Sequence, residues 1–319
     1  MIWLIGASGM LGASVALLLK KNKIPFVGTS SDVDARDYKK LREFAEKWES
    51  DNYLSARQKG LLSRFNWIVN CSGYTAVEKA ESEKEAARAL NVTAASNIAR
   101  VARELGAKMI HISSDYVFDG KASSPYTEGS PKNPLGVYGQ TKSAGEDEIQ
   151  KMMTQYFIIR TSWLYGRGRP NFVKTMARLM NSKEEIKVVN DQYGSPTNAD
   201  DLAEAILLII RNVDKAGTNI FSKEAVPYGI YHFSNAGQTS WFDFAVEIQR
   251  LLKKRKLVTN DCKVLPCSTE EYGAKVKRPA YSVLSKEKIQ AALKIKIPGW
   301  KDSLNKFIKA EQGELLCEN

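Results

Sequence analysis

Residues 1–21 read MIWLIGASGMLGASVALLLKK, and the order of residue types in this stretch decides the fold. Trp3-Leu4-Ile5 reads as a buried strand, Leu11 to Leu19 repeats apolar residues at helical spacing, and Gly6, Gly9 and Gly12 fall between them. Strand, glycine turn and helix N-terminus, in that order, are the fingerprint of a dinucleotide-binding unit. The tight turn needs positive φ, and a pyrophosphate approaches backbone only where no Cβ intrudes. The helix N-terminus then offers free N–H groups and partial positive charge. A P-loop is excluded, because Gly12 is followed by Ala13 and not by Lys and Ser or Thr.

Outward from this unit, strands at 24–28, 67–70, 108–113 and 156–161 alternate with helices at about 37–49, 83–105 and 139–153. That alternation predicts an α/β fold, a Rossmann-type doubly wound parallel sheet. After residue 163 glycines, prolines and aromatics cluster. A helix (172–182), a strand (186–189), a helix (199–212), a strand (231–234), a helix (241–254) and short irregular pieces follow. The expected organisation is an NAD(P)-binding domain from 1–162, to which 193–235 returns. A smaller, interleaved substrate-binding region takes 163–192 and 236–319.

NAD enzymes place an acid about 20 residues past the glycine turn, on the ribose 2′-hydroxyl. Here the second strand ends in Thr29-Ser30-Ser31, and Asp32 comes late. Hydroxyls tolerate a 2′-phosphate better than a carboxylate does, so Ser30 favours NADPH, with NADH as the alternative. No arginine marks the strand end itself.

The chain has 319 residues and a net charge of +11, with Lys and Arg spread along its whole length. The one dense basic cluster, Lys253-Lys254-Arg255-Lys256, ends an amphipathic helix, where cations suit the helix dipole. No nucleic-acid-binding motif accompanies it. No apolar run is long enough to span a bilayer, and the N-terminus has no basic region of a secretory signal. Cys71, Cys262, Cys267 and Cys317 lack the spacing of a metal site or disulfide framework, which predicts free thiols in a reducing, cytoplasmic setting. No acidic cluster calls for a metal. The sequon at Asn91 is read as accidental.

The chemistry concentrates in Tyr138-Gly-Gln-Thr-Lys142. On a helix, i and i+4 share a face, so tyrosine and lysine project into one site. A neighbouring ammonium would lower the tyrosine pKa from about 10 and suit it to protonating a carbonyl oxygen during reduction. HISSDYVFDG (111–120) puts Ser113 and Ser114 at a strand's carboxyl end, where open α/β sheets build their sites. A serine hydroxyl there can hold the same oxygen.

Glycine fingerprint, strand-end serine and YxxxK together resemble the extended short-chain dehydrogenase/reductases. NCSGYTAVEKAE (70–81), HISSDYVFDG, VYGQTKSAGE (137–146), RTSWLYG (160–166), NDQYGSPT (190–197) and RPAYSVL (278–284) narrow the resemblance to the dTDP-4-dehydrorhamnose reductase family, over nearly the whole chain. That resemblance implies NADPH-dependent reduction of the 4-keto group of a dTDP-linked 6-deoxyhexose, for cell-surface polysaccharide. The partner is then a nucleotide-diphosphate sugar, and the assembly a homodimer. It implies Ser114, Tyr138 and Lys142 as the catalytic set. Gly6, Gly9 and Gly12 would flank the pyrophosphate, with amides from Met10 and Leu11. Asp34 would lie near the adenine, and Cys71, Ser72, Gly73 and Tyr74 would line the cofactor. Thr75, Val77, Asp115, Trp163, Asn190, Gln192, Thr197 and Arg278 would border the substrate, Arg278 as a bidentate donor to its diphosphate.

The chain departs from the family pattern at Cys71-Ser72-Gly73, where two alanines are usual, and in a longer, highly polar stretch at 46–64. Ser114-Asp115-Tyr116 lacks the glutamate of related sugar dehydratases, which argues against dehydration. Two further readings stay open: another nucleotide-sugar 4-ketoreductase or epimerase, and a non-catalytic regulatory subunit resembling that of methionine adenosyltransferase.

Overall fold

Short apolar runs set the sheet: Ile2–Ile5 (β1), Phe26–Thr29 (β2), Trp67–Asn70 (β3), Lys108–Ser114 (β4) and Tyr156–Thr161 (β5). In the computed structural model, which describes residues 1–58, 64–218, 226–274 and 276–317, these pair with an edge strand, Gly229–His232. The order across the sheet is Gly229–His232, β5, β4, β3, β1, β2. Every pairing is parallel. All four residues of β1 and of β3 are buried, as expected of a parallel sheet covered on both faces. Alternation along each strand divides the core. Ile2, Leu4, Val69, Phe157 and Ile159 pack under Met10–Lys21 (α1) and the helix Ala199–Thr218. Trp3, Ile5, Ile68, Met109 and Ile158 face the other way, onto Tyr38–Gln58 (α2), Ala94–Leu105 and Val137–Met152.

The chain leaves β1 for β2 on one side and returns to β3 on the other. This reversal opens a crevice at the carboxyl ends of β1 and β3, where open α/β sheets place ligands.

A second core gathers Tyr165, Met176, Ile186, Phe244, Leu304 and Phe307 from the C-terminal half. Its frame is Phe172–Ser182, Trp241–Lys254 and a parallel pair, Glu185–Val189 with Lys263–Cys267. The sequence reading left everything past 254 as short irregular pieces. The structure corrects this with that strand and the helices Glu287–Leu293, Trp300–Ala310 and Gln312–Cys317. Trp300, Leu304, Phe307 and Ile308 form the buried stripe of the middle one; the lysines around them hid the period. α2 runs well past the predicted 49 to Gln58, and the rest of the polar stretch, 59–63, lies outside the described residues. The predicted helix 83–105 is interrupted by a π-turn, Ala89–Thr93. Among the described residues no helix is long and apolar enough to cross a membrane, and no cluster of side chains could hold a metal ion.

Candidate active site

Gly6 has φ +80°, and a Cβ there would lie 2.7 Å from the Ser72 nitrogen, so the turn after β1 is pressed against the end of β3. A Cβ on Gly12 would lie 2.0 Å from the Gly6 carbonyl oxygen, so α1 can start this close to the turn only with glycine there. Gly9 caps α1 with no side chain over its amides and no acid in its first turn. Met10 and Leu11 thus begin a helix whose N–H groups face the crevice with no competing anion. A bare cradle of this shape fits a dinucleotide pyrophosphate. At the end of β2, the Ser8 N–H donates to the Ser30 hydroxyl at 3.0 Å, and the Ser30 N–H donates to Asp32. Arg36 binds Asp34 with two hydrogen bonds of 2.8 Å and holds its carboxyl down at about 2. The sequence showed no arginine on the strand end itself, and among the described residues the Arg36 side chain reaches only Asp34, two residues before it.

Val137–Met152 begins one residue before Tyr138, which puts Tyr138 and Lys142 on successive turns facing the end of β4. Ser114 caps the 3-10 turn Asp115–Val117, accepting from the Tyr116 N–H at 3.2 Å and donating to Asp115 at 2.9 Å. The Tyr116 ring meets the Tyr138 ring edge-on, with centroids 5.4 Å apart. The expected lowering of the tyrosine pKa is not what the structure gives. Burial pushes Tyr138 up to about 12, and only the Ser114 hydroxyl pulls the other way. Lys142 is 5% exposed, its ammonium donates to the Ile112 carbonyl at 2.6 Å, and burial drops it to about 8 against the pull of Glu146. Burial outweighs pairing at both groups.

Gly73 stands next to this pair: a Cβ there would lie 3.0 Å from the Asn91 Oδ1 and 3.7 Å from the Lys142 ammonium nitrogen. Burial pushes the Cys71 thiol up to about 12, which makes it inert. Ser72 donates from both its amide and its hydroxyl to Asn70. The Tyr74 amide donates to Asn91 and its hydroxyl to Glu83. Thr75 is exposed and Val77 half-buried at the rim.

On the substrate side, Asp115 is 2% exposed, its Oδ2 has no partner among the described residues, and burial raises it to about 6. Arg278 pairs with Glu78 at 2.7 Å, while its Nε is buried without a partner among the described residues. Trp163 adopts φ +47° and stacks on Trp241 at 3.6 Å, filling the space that Gly194 leaves open. Asn190 is half-buried, and its backbone N–H donates to the Cys267 carbonyl. Two further residues expected to line the substrate are buried and bonded within the chain. Gln192 is buried and donates to Thr269. Thr197 is 0% exposed and accepts from the Thr161 hydroxyl.

Several contributors escaped the sequence reading. The Asn91 amide donates to the Tyr74 carbonyl and the Thr141 hydroxyl from inside the π-turn. At 1% exposed, it is also closed to glycosylation, as the accidental reading of its sequon required. Asn70 donates to the His111 Nδ1, fixing a neutral ring under Lys142. Glu146 accepts from Ser113 and takes Arg160 in two hydrogen bonds. Its position at i+4 from Lys142 was the available signal.

The chain matches the family model described as the RmlD substrate binding domain over residues 1–312. It is 36% identical over 305 residues to the spore coat polysaccharide biosynthesis protein SpsK of Bacillus subtilis strain 168, covering 95% of each. It is 38% identical over 247 residues to the dTDP-4-dehydrorhamnose reductase of Escherichia coli K12, covering 76% of this chain and 78% of that protein. The crystal structure of the Bacillus anthracis dTDP-4-dehydrorhamnose reductase in complex with NADP superposes with a TM-score of 0.81 at 33% identity, over 97% of this chain and 98% of that one.

Proposed function

Because the chain belongs to the dTDP-4-dehydrorhamnose reductase family of extended short-chain dehydrogenase/reductases, we propose that it is an NADPH-dependent sugar-nucleotide reductase. NADH is the alternative cofactor. The substrate is dTDP-4-dehydro-L-rhamnose, reduced at its 4-keto group to dTDP-L-rhamnose for a cell-surface polysaccharide, in the cytoplasm. The observation that carries the reading is the convergence of Ser114, Tyr138 and Lys142 at the end of β4, next to a glycine turn with room for a pyrophosphate.

When bound, the reduced nicotinamide supplies the hydride. The rest is the work of this chain's side chains. Tyr138, kept protonated by burial, gives its phenolic proton to the carbonyl oxygen as negative charge gathers there. The Ser114 hydroxyl, held by Asp115, turns to donate to the same oxygen. Lys142 stabilises the phenolate that Tyr138 leaves, and Glu146 favours the charged form of the lysine. Gly73 keeps side-chain bulk away from the ammonium. The aromatic pair Trp163–Trp241 and Arg278 wall the sugar-nucleotide side.

The test is NADPH consumption with freshly generated dTDP-4-keto-6-deoxy-L-mannose, wild type against Tyr138→Phe. The variant should lose about 10²- to 10⁴-fold in turnover while still binding NADPH. A wild type that binds NADPH and never consumes it with this sugar sinks the rhamnose assignment.

A further inference from the structure

The loop between Gly166 and Asn171 crosses from the second core to the glycine turn, and its cations are held unequally. Arg167 is neutralised: it pairs with Asp200 at 3.1 Å and with Glu311 at 3.5 Å, and Asp200 also accepts from Ser14 of α1 at 2.8 Å. Arg169 meets no carboxylate among the described residues. Its Nε and Nη2 donate instead to the carbonyl of Ser8, inside the glycine turn, at 3.2 and 3.1 Å. The loop is fixed in this position. The Asn171 amide donates to the carbonyls of Gly166 and Arg169, and a Cβ on Gly166 would lie 2.9 Å from the Met10 side chain. An exposed guanidinium is thus parked on the turn whose amides form the bare cradle. A guanidinium has five N–H donors, so the two bonds to Ser8 leave others for an anion.

We propose that Arg169 binds the pyrophosphate of the dinucleotide from the second lobe, closing the phosphate cradle opposite the α1 N-terminus. This rests on the dinucleotide reading above. The phosphates then replace the missing counter-charge, and the Gly166–Asn171 loop ties the two lobes together when the cofactor binds. A 2′-phosphate is the competing anion, since Ser8 also touches Ser30.

NADPH and NADH share the pyrophosphate and differ in the 2′-phosphate, so dissociation constants for both, read from nicotinamide fluorescence, separate the two. Arg169→Gln should weaken both dinucleotides equally, by about tenfold or more, the loss of one charge-assisted contact. Arg169→Lys should fall between it and wild type, because a point charge remains and the fork is lost. Affinity should also become less sensitive to salt in Arg169→Gln. Unchanged affinities in both variants overturn the inference, and a loss confined to NADPH overturns it in favour of the 2′-phosphate. A wild type that binds neither dinucleotide overturns the reading it rests on, a result visible before any variant is made.

Discussion

Asp115→Asn separates charge from shape at the centre of the site. The Asp115 carboxyl is 2% exposed, and burial lifts it from 3.8 to about 6 against the hydroxyls of Ser282 and Ser114. A folded-state pKa above the unfolded one means that the protonated acid favours the fold. That contribution is complete below about pH 4 and is lost as the pH rises through about 6. The gap of about 2 units, at about 1.4 kcal/mol each, makes the ionised carboxylate cost about 3 kcal/mol at pH 7. An amide has the shape of the protonated acid and never ionises. The variant should therefore match wild type near pH 4 and be more stable by about 3 kcal/mol at pH 7. His232, pushed down to about 3 by burial and by Arg160, acts in the opposite sense: its contribution is lost as the pH falls below its ordinary range. His232 is common to both proteins and cancels in the difference. Urea unfolding by circular dichroism at several pH values between about 4 and 7 gives the difference directly. A gap that stays constant across that range would refute a buried, ionised Asp115.

Lys142→Met should abolish turnover and raise stability at pH 7 by about 3 kcal/mol, because burial drops the lysine from 10.5 to about 8. In wild type that cost fades as the pH climbs from about 8 toward 10.5, so the two unfolding curves should converge in alkali. Gly12→Ala drives a methyl group to 2.0 Å from the Gly6 carbonyl oxygen. It should lower stability by about 1–3 kcal/mol and weaken NADPH binding, read by thermal melting and fluorescence titration. Glu146→Gln leaves the Arg160 guanidinium, 2% exposed, with its charge unpaired. The loss should be about 3–5 kcal/mol, whereas a surface pair would cost under about 1, and urea unfolding distinguishes them.

The stability expected from Asp115→Asn and Lys142→Met has one origin. Both groups sit where water is excluded, and each is charged at pH 7 although burial favours its neutral form. A reductase needs a protonated tyrosine and a cation in a dry crevice, and proteins accept such costs at their sites.

What the sequence determined by itself is what short spacing controls. Gly6, Gly9 and Gly12 must make a bare turn before α1, because φ and Cβ contacts are local. Tyr138 and Lys142 must share a helix face, because the helical period fixes it. The parallel sheet follows from strands alternating with helices, and its register places Ser114 beside Thr161 at the carboxyl end. The tertiary structure decided everything that depends on distant segments meeting. Thr197 and Gln192 carry polar side chains that suit a binding site, and only packing gives them Thr161 and Thr269 as partners. Trp163 turns onto Trp241. Arg169 reaches Ser8 across 161 positions of chain. The direction of the Tyr138 shift belongs to the same class. The i, i+4 pattern supplies the charge nearby, but how much water remains around both groups is set by the elements packed over them, and desolvation is the larger effect.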